Sequence, residues 1–148
     1  MRFSEQWLRE WVDPDVDVAT LTRDLSMMGL EVDAVEPAAP AFSGVVVGEV
    51  IAVESHPQAA NLRLCSVDDG SGADLRVVCG APNVAAGMKA PFARVGAVLP
   101  NGVEVSAAEV RGTRSQGMLC SSTELGLSED ADGLLTLADD ATVGTDLR

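Results

Sequence analysis

The apolar residues of this chain change period near residue 38, and that change constrains the fold more than any other feature. Before it, Phe3, Trp7, Leu8 and Trp11 recur at helical spacing, which puts both tryptophans on one stripe that must be covered. A second helix is predicted from Asp17 as N-cap, through Val18, Leu21, Leu25 and Met28, to Gly29 as the stop. LEVDAVEP reads as an extended exit and PAAPAFSG as a linker. After it come short β-rich runs, VVVGEVIAVES, LRLCSVD, DLRVVCG, KAPFARV, GVEVSAAEVRG and GLLTL, separated by DDGSG, APN, LPNG and EDADG. Gly48 in the first run suggests a bulge or bend at a barrel corner, and NVAAGM and SSTELGL suggest short helical turns. The predicted class is mainly β with a small α+β amino-terminal segment over 1–38. Residues 39–148 are expected to form an OB-fold, a five-stranded Greek-key barrel with a short helical insert. Composition alone leaves other small barrels open.

The chain carries a net charge of −13, which argues against a generic polyanion binder, so any contact with nucleic acid must use a local patch. Residues 60 to 118 sum to +1 while all others sum to −14. Surface charges are screened over roughly 8 Å at physiological salt, so a basic face can persist on an acidic protein. No stretch approaches the roughly 18 apolar residues of a membrane helix, and the charged MRFSEQWLREWV is no signal peptide, so a cytoplasmic chain without membrane contact is expected. Cys65, Cys79 and Cys120 lack a C-x-x-C, and His56 is the only histidine; no zinc site is expected, and the thiols read as reduced and buried.

Three stretches, VVVGEVIAVESHPQAANLRLCSVD, LRVVCGAPNVAAGMKAPFARVGAVLPNG and VRGTRSQGMLCSSTELGL, resemble the tRNA-binding OB-type domain of bacterial phenylalanyl-tRNA synthetase β subunits. Related domains are fused to methionyl-tRNA synthetases or stand alone. The front end, MRFSEQWLREWVD and LSMMGLEVDAVEP, is similar to the segment particular to the β subunit. The resemblance implies an amino-terminal fragment of a longer subunit, itself without a chemical step. Its partners would be tRNA, a catalytic α subunit and the remaining β domains. ATP and magnesium would serve the full ligase outside these residues, with no cofactor or metal in the fragment. The chain departs from the family at Ala60 and Asn61, where an acidic residue followed by lysine is usual, so one expected cation is missing.

The candidate RNA-binding residues are Arg63, Lys89, Arg94, Arg111, Arg114, Ser115, Asn83 and His56. In VRGTRSQGMLC, Arg111, Arg114 and Ser115 present two guanidiniums and a hydroxyl among glycines, suited to phosphates. Alternatively, the glycines make a tight turn and the arginines pair with Glu104 or Glu109. His56 before Pro57 either meets a base or phosphate or fixes the strand-to-loop turn. Asn83 either caps a helical turn or touches a ligand. Phe92, beside Lys89 and Arg94, is the one ring placed to stack on a base, with a core role as the alternative. SEDADGLLTLAD departs from a calcium loop at its first and last ligands and reads as an acidic turn entering the last strand. No catalytic constellation passes a spacing test. The expected function is non-catalytic tRNA binding; the alternatives are a docking module with little RNA contact, or a free-standing tRNA-binding protein.

Overall fold

A computed structural model describes residues 1–37, 40–129 and 132–147. Asp130, which the calcium-loop comparison used, lies outside them. The chain divides into two compact units, Met1–Ala38 and Ala39–Arg148.

The first unit holds two helices, α1 (Glu5–Arg9) and α2 (Val18–Met27). The Ser4 hydroxyl caps α1, accepting from Trp7 N, and the Asp17 carboxylate caps α2, accepting from Thr20 N at 2.7 Å. Gly29, at φ 92°, ends α2 where its sequence placed the stop, with Leu30 N donating to Leu25 O. Arg9 ties the turn between the helices, donating to Glu5, Asp13 and the carbonyls of Pro14 and Val16. Neither helix contains a buried residue. The predicted tryptophan stripe is open, with Trp7 57% and Trp11 77% exposed.

In the second unit the strands are β1 (Ser43–Ser55), β2 (Arg63–Asp68), β3 (Leu75–Cys79), β4 (Lys89–Val98), β5 (Ala108–Val110), β6 (Thr113–Ser115) and β7 (Met118–Leu119). One five-stranded antiparallel sheet runs β3-β2-β1-β4-β7, and β5 with β6 forms a hairpin. The two edges of the sheet are joined by one stretch of chain. Ser115 Oγ accepts from Val78 N, and Gln116 exchanges bonds with Arg76 through its backbone N and its Oε1, alongside β3. Three residues later Leu119 pairs with Phe92 of β4. The chain from β6 to β7 therefore acts as a fifth stave between β3 and β4, and the curled sheet is of OB type.

The first strand is long because it serves two apolar clusters. Val46 and Val50 face one with Cys65, Val67, Val77 and Phe92; Val45 faces the other with Ala97, Leu99, Cys120 and Leu125. Burial on both faces explains its unbroken valine run. The β1–β2 register shifts between Val50 and Ala52, placing the bulge beyond Gly48. Gly48 instead permits close approach: a Cβ there would lie 2.7 Å from Phe92 Cβ.

Several local expectations give way to longer-range contacts. Residues of NVAAGM and SSTELGL form turns and no helix, because Gly87 (φ 83°) and Gly126 (φ 63°) reverse the backbone. GLLTL is not a strand; it runs extended beside the barrel, with Leu135 N donating to Cys120 O and Leu137 N to Lys89 O. GVEVSAAEVRG is strand only over Ala108–Val110. All three cysteines are free and buried. Cys65 and Cys79 share a face of adjacent strands; the neighbouring Cys65 thiol and the Ala81 N–H hold the Cys79 thiol below its ordinary pKa, against the opposing effect of burial. No helix among the described residues is long and apolar enough to cross a membrane.

Candidate nucleic-acid interface

The β5–β6 hairpin turns in two residues, Arg111 and Gly112, between the pair Val110 and Thr113. Both turn residues have positive φ, 50° and 78°, the requirement of a type I′ turn. Glycine meets it freely, and asparagine is the usual partner at the first position; arginine there costs about 1 kcal/mol of backbone strain. The tip lies against the turn between β1 and β2, since a Cβ on Gly112 would sit 3.4 Å from Gln58 Oε1. That turn leads into Arg63, whose guanidinium is exposed and touches only the Ala60 carbonyl, at 3.4 Å, among the described residues. The β1–β2 turn and the segment preceding the last stave are the loops with which OB barrels take oligonucleotides.

Arg114 follows on β6, exposed and opposite Glu109 in register, yet no ion pair joins them among the described residues. Its side chain lines a cavity of about 310 Å³ together with Arg94. Arg111 and Arg114 thus sit on the hairpin, and Arg114 shares its cavity with Arg94 of β4 and with Asp69, which follows β2.

Arg94 is not a free cation. Its Nε donates to Asp69 Oδ2 at 2.6 Å and its Nη2 to Asp69 O at 2.7 Å. Asp69 is buried, and burial pushes its carboxyl up. Hydrogen bonds from Ser71 Oγ and N, with the Arg94 pair, outweigh that and hold it below the ordinary carboxylate value. A depressed folded-state value stabilises the fold above the unfolded carboxylate range, near pH 4, and the contribution disappears as pH falls through the folded value. Thermal melts should be flat from neutrality to about pH 5 and fall more steeply below about pH 4 for the parent chain than for Asp69→Asn.

Four other sequence candidates are engaged within the fold. Lys89 Nζ donates to the carbonyls of Asp139 and Ala141, at 2.6 and 2.7 Å. Ser115 is buried, its Oγ donating to Gly117 O while accepting from Val78 N. Asn83 caps no helix: the residue is exposed, but its amide is engaged, Nδ2 donating to Leu134 O and Oδ1 accepting from Leu134 N, which clamps residues 51 apart. His56 is buried in the turn, its Nδ1 accepting from Gln58 N, which leaves Nε2 as the ring's donor; Nε2 has no partner among the described residues. Phe92 is fully buried and is no stacking platform.

The sequence reading missed Asp69, which orients Arg94, and Gln116, which lines the cavity. It also passed over Arg76, exposed on β3 at the level of Gln116. Gly112 between two β-rich runs is a turn signal that marks Arg111; nothing local marks the Asp69–Arg94 pair. Among the described residues no group of His, Cys, Asp and Glu side chains is placed to hold a metal.

Residues 45–146 match the family model described as "Putative tRNA binding domain". Over all 148 residues the chain is 58% identical to a phenylalanine–tRNA ligase β subunit of Hahella chejuensis and 56% identical to one of Pseudomonas fluorescens, spanning 19% of each. The chain thus covers about a fifth of the length of these relatives. Its fold is that of a methionyl-tRNA-synthetase-related protein from Pyrococcus horikoshii, with a TM-score of 0.52 at 23% identity over 70% of this chain and 88% of that one.

Proposed function

The chain belongs to the tRNA-binding-domain family, and from that premise we propose that its barrel holds tRNA through Arg63, Arg111 and Arg114. The observation that carries this reading is the meeting of the Arg111–Gly112 tip with the β1–β2 turn. An arginine kept at a strained, exposed position serves no packing purpose and presents its charge where OB barrels bind strands. With no fully exposed aromatic ring among the described barrel residues, attachment is electrostatic, to the phosphate backbone, and specificity belongs elsewhere. The module performs no chemical step. In a phenylalanine–tRNA ligase it adds affinity for tRNA in the cytoplasm, while ATP, magnesium and amino acid act in other parts of the assembly. Fluorescence anisotropy of labelled tRNA with the purified chain tests it: saturable, salt-sensitive binding supports the reading, and its absence at low salt refutes it.

The exposed apolar side chains of the first unit favour a second role for that unit. Phe3, Trp7, Trp11, Met27, Met28 and Leu30 are all more than half or about half exposed. We infer that they dock against another part of the synthetase, the α subunit or further β domains. Trp7→Ser with Trp11→Ser in the full β subunit should reduce co-purification of the α subunit or loosen the assembly on heating. Barrel affinity for tRNA should change by less than about twofold. Intact assembly at unchanged thermal stability would count against docking.

A further inference from the structure

The Arg94–Arg114 cavity has the makings of a nucleotide site. Its volume, about 310 Å³, is at the small end of ligand pockets. Two arginines face it, and one of them is held in place. Asp69, itself 3% exposed, fixes Arg94 through Nε and Nη2, which leaves the guanidinium hydrogens on Nη1 without a partner among the described residues. A guanidinium oriented by a buried carboxylate is preorganised for an oxyanion and gives up little rotamer freedom on binding. Arg114 lines the same space from β6, so the two cations against one carboxylate leave a net positive cavity. The remaining lining is mixed: Ser71 and Gln116 are polar, and the others are apolar. Val95 is 54% exposed, and Leu75 and Ala107 flank it, a surface for the flat face of a base.

We propose that this cavity binds one nucleotide unit of an RNA strand, with its phosphate between Arg94 and Arg114 and its nucleoside against Val95, Leu75 and Ala107. The proposal rests on the tRNA-binding reading and adds a discrete pocket to it. A free nucleotide carries the same chemistry.

Ala107→Leu fills the cavity without altering charge, and Ala107 is exposed, so the barrel tolerates the larger side chain. Expected for this variant is a loss of about tenfold in tRNA affinity with a salt slope flattened by about one unit at most, since the expelled unit takes a single phosphate with it. Backbone amide shifts on titration with a short oligouridylate should move at residues 69, 94, 95 and 114. Uridine 5′-monophosphate producing the same shifts at similar concentration assigns the site to free nucleotides; shifts only with the oligomer assign it to a strand. Wild-type affinity for tRNA in Ala107→Leu, with shifts confined to the neighbourhood of Arg111, would overturn the pocket and leave the electrostatic reading standing. No binding of tRNA by the parent chain removes that reading itself.

Discussion

Gly117→Ala should lower the melting temperature of the barrel by about 10–20 °C, the largest effect expected of any single methyl added to this chain. The position carries a φ of 145°, which non-glycine residues rarely adopt, and a Cβ there would sit 2.3 Å from Phe92 Cζ and 2.8 Å from Ala93 O. Phe92 is fully buried and cannot withdraw. Backbone strain and overpacking together cost about 3–5 kcal/mol. The damage falls on the stave that closes the barrel: Gly117 O accepts from Ser115 Oγ, and Ser115 and Gln116 hold the edge of β3. Gly72→Ala is the control. Its φ is 79°, but nothing lies within 4 Å, so only the conformational cost of about 1 kcal/mol applies. Equal melting of the two variants, read by circular dichroism, would show that the stave does not close the barrel tightly.

The second large effect concerns binding. Arg111→Glu with Arg114→Glu should weaken tRNA affinity by at least about 30-fold at moderate salt and flatten the salt slope by about two units. Both side chains are exposed and no ion pair holds either among the described residues, so the fold loses little. The first of the two positions allows a sharper separation. Arg111→Asn relieves the type I′ turn and should stabilise the hairpin by about 1 kcal/mol while weakening tRNA binding severalfold. A purely structural arginine would give the opposite pattern, with stability lost and affinity unmoved.

What the sequence disclosed was whatever local pattern encodes. The Asp17 cap, the Gly29 stop and the short β-rich runs of β1 to β4 stand where periodicity and turn chemistry put them. The OB-type barrel follows from their order and from the resemblance of VRGTRSQGMLC and its neighbours to a known domain. What stayed hidden depends on residues far apart. Asp69 meets Arg94 across 25 residues, Asn83 meets Leu134 across 51, and Lys89 reaches the carbonyls of Asp139 and Ala141 across 50 and 52. Charge alone therefore named five cations alike. Folding bound Lys89 to carbonyls and Arg94 to a carboxylate, while Arg63, Arg111 and Arg114 kept their charges open to solvent. LLTL has the composition of a strand and a strand's extended path, but no neighbour offers it a continuous ladder.

The patch is the centre of the account, and its size sets a number. Three arginines on phosphates give a slope of log affinity against log salt of about −2 to −3, or a loss of about 15- to 60-fold between 50 and 200 mM salt. Anisotropy of labelled tRNA across that range measures it directly. A slope in that interval, collapsing toward zero when Arg111 and Arg114 are reversed, is the predicted result. Binding that ignores salt, or a slope untouched by the reversal, would contradict it.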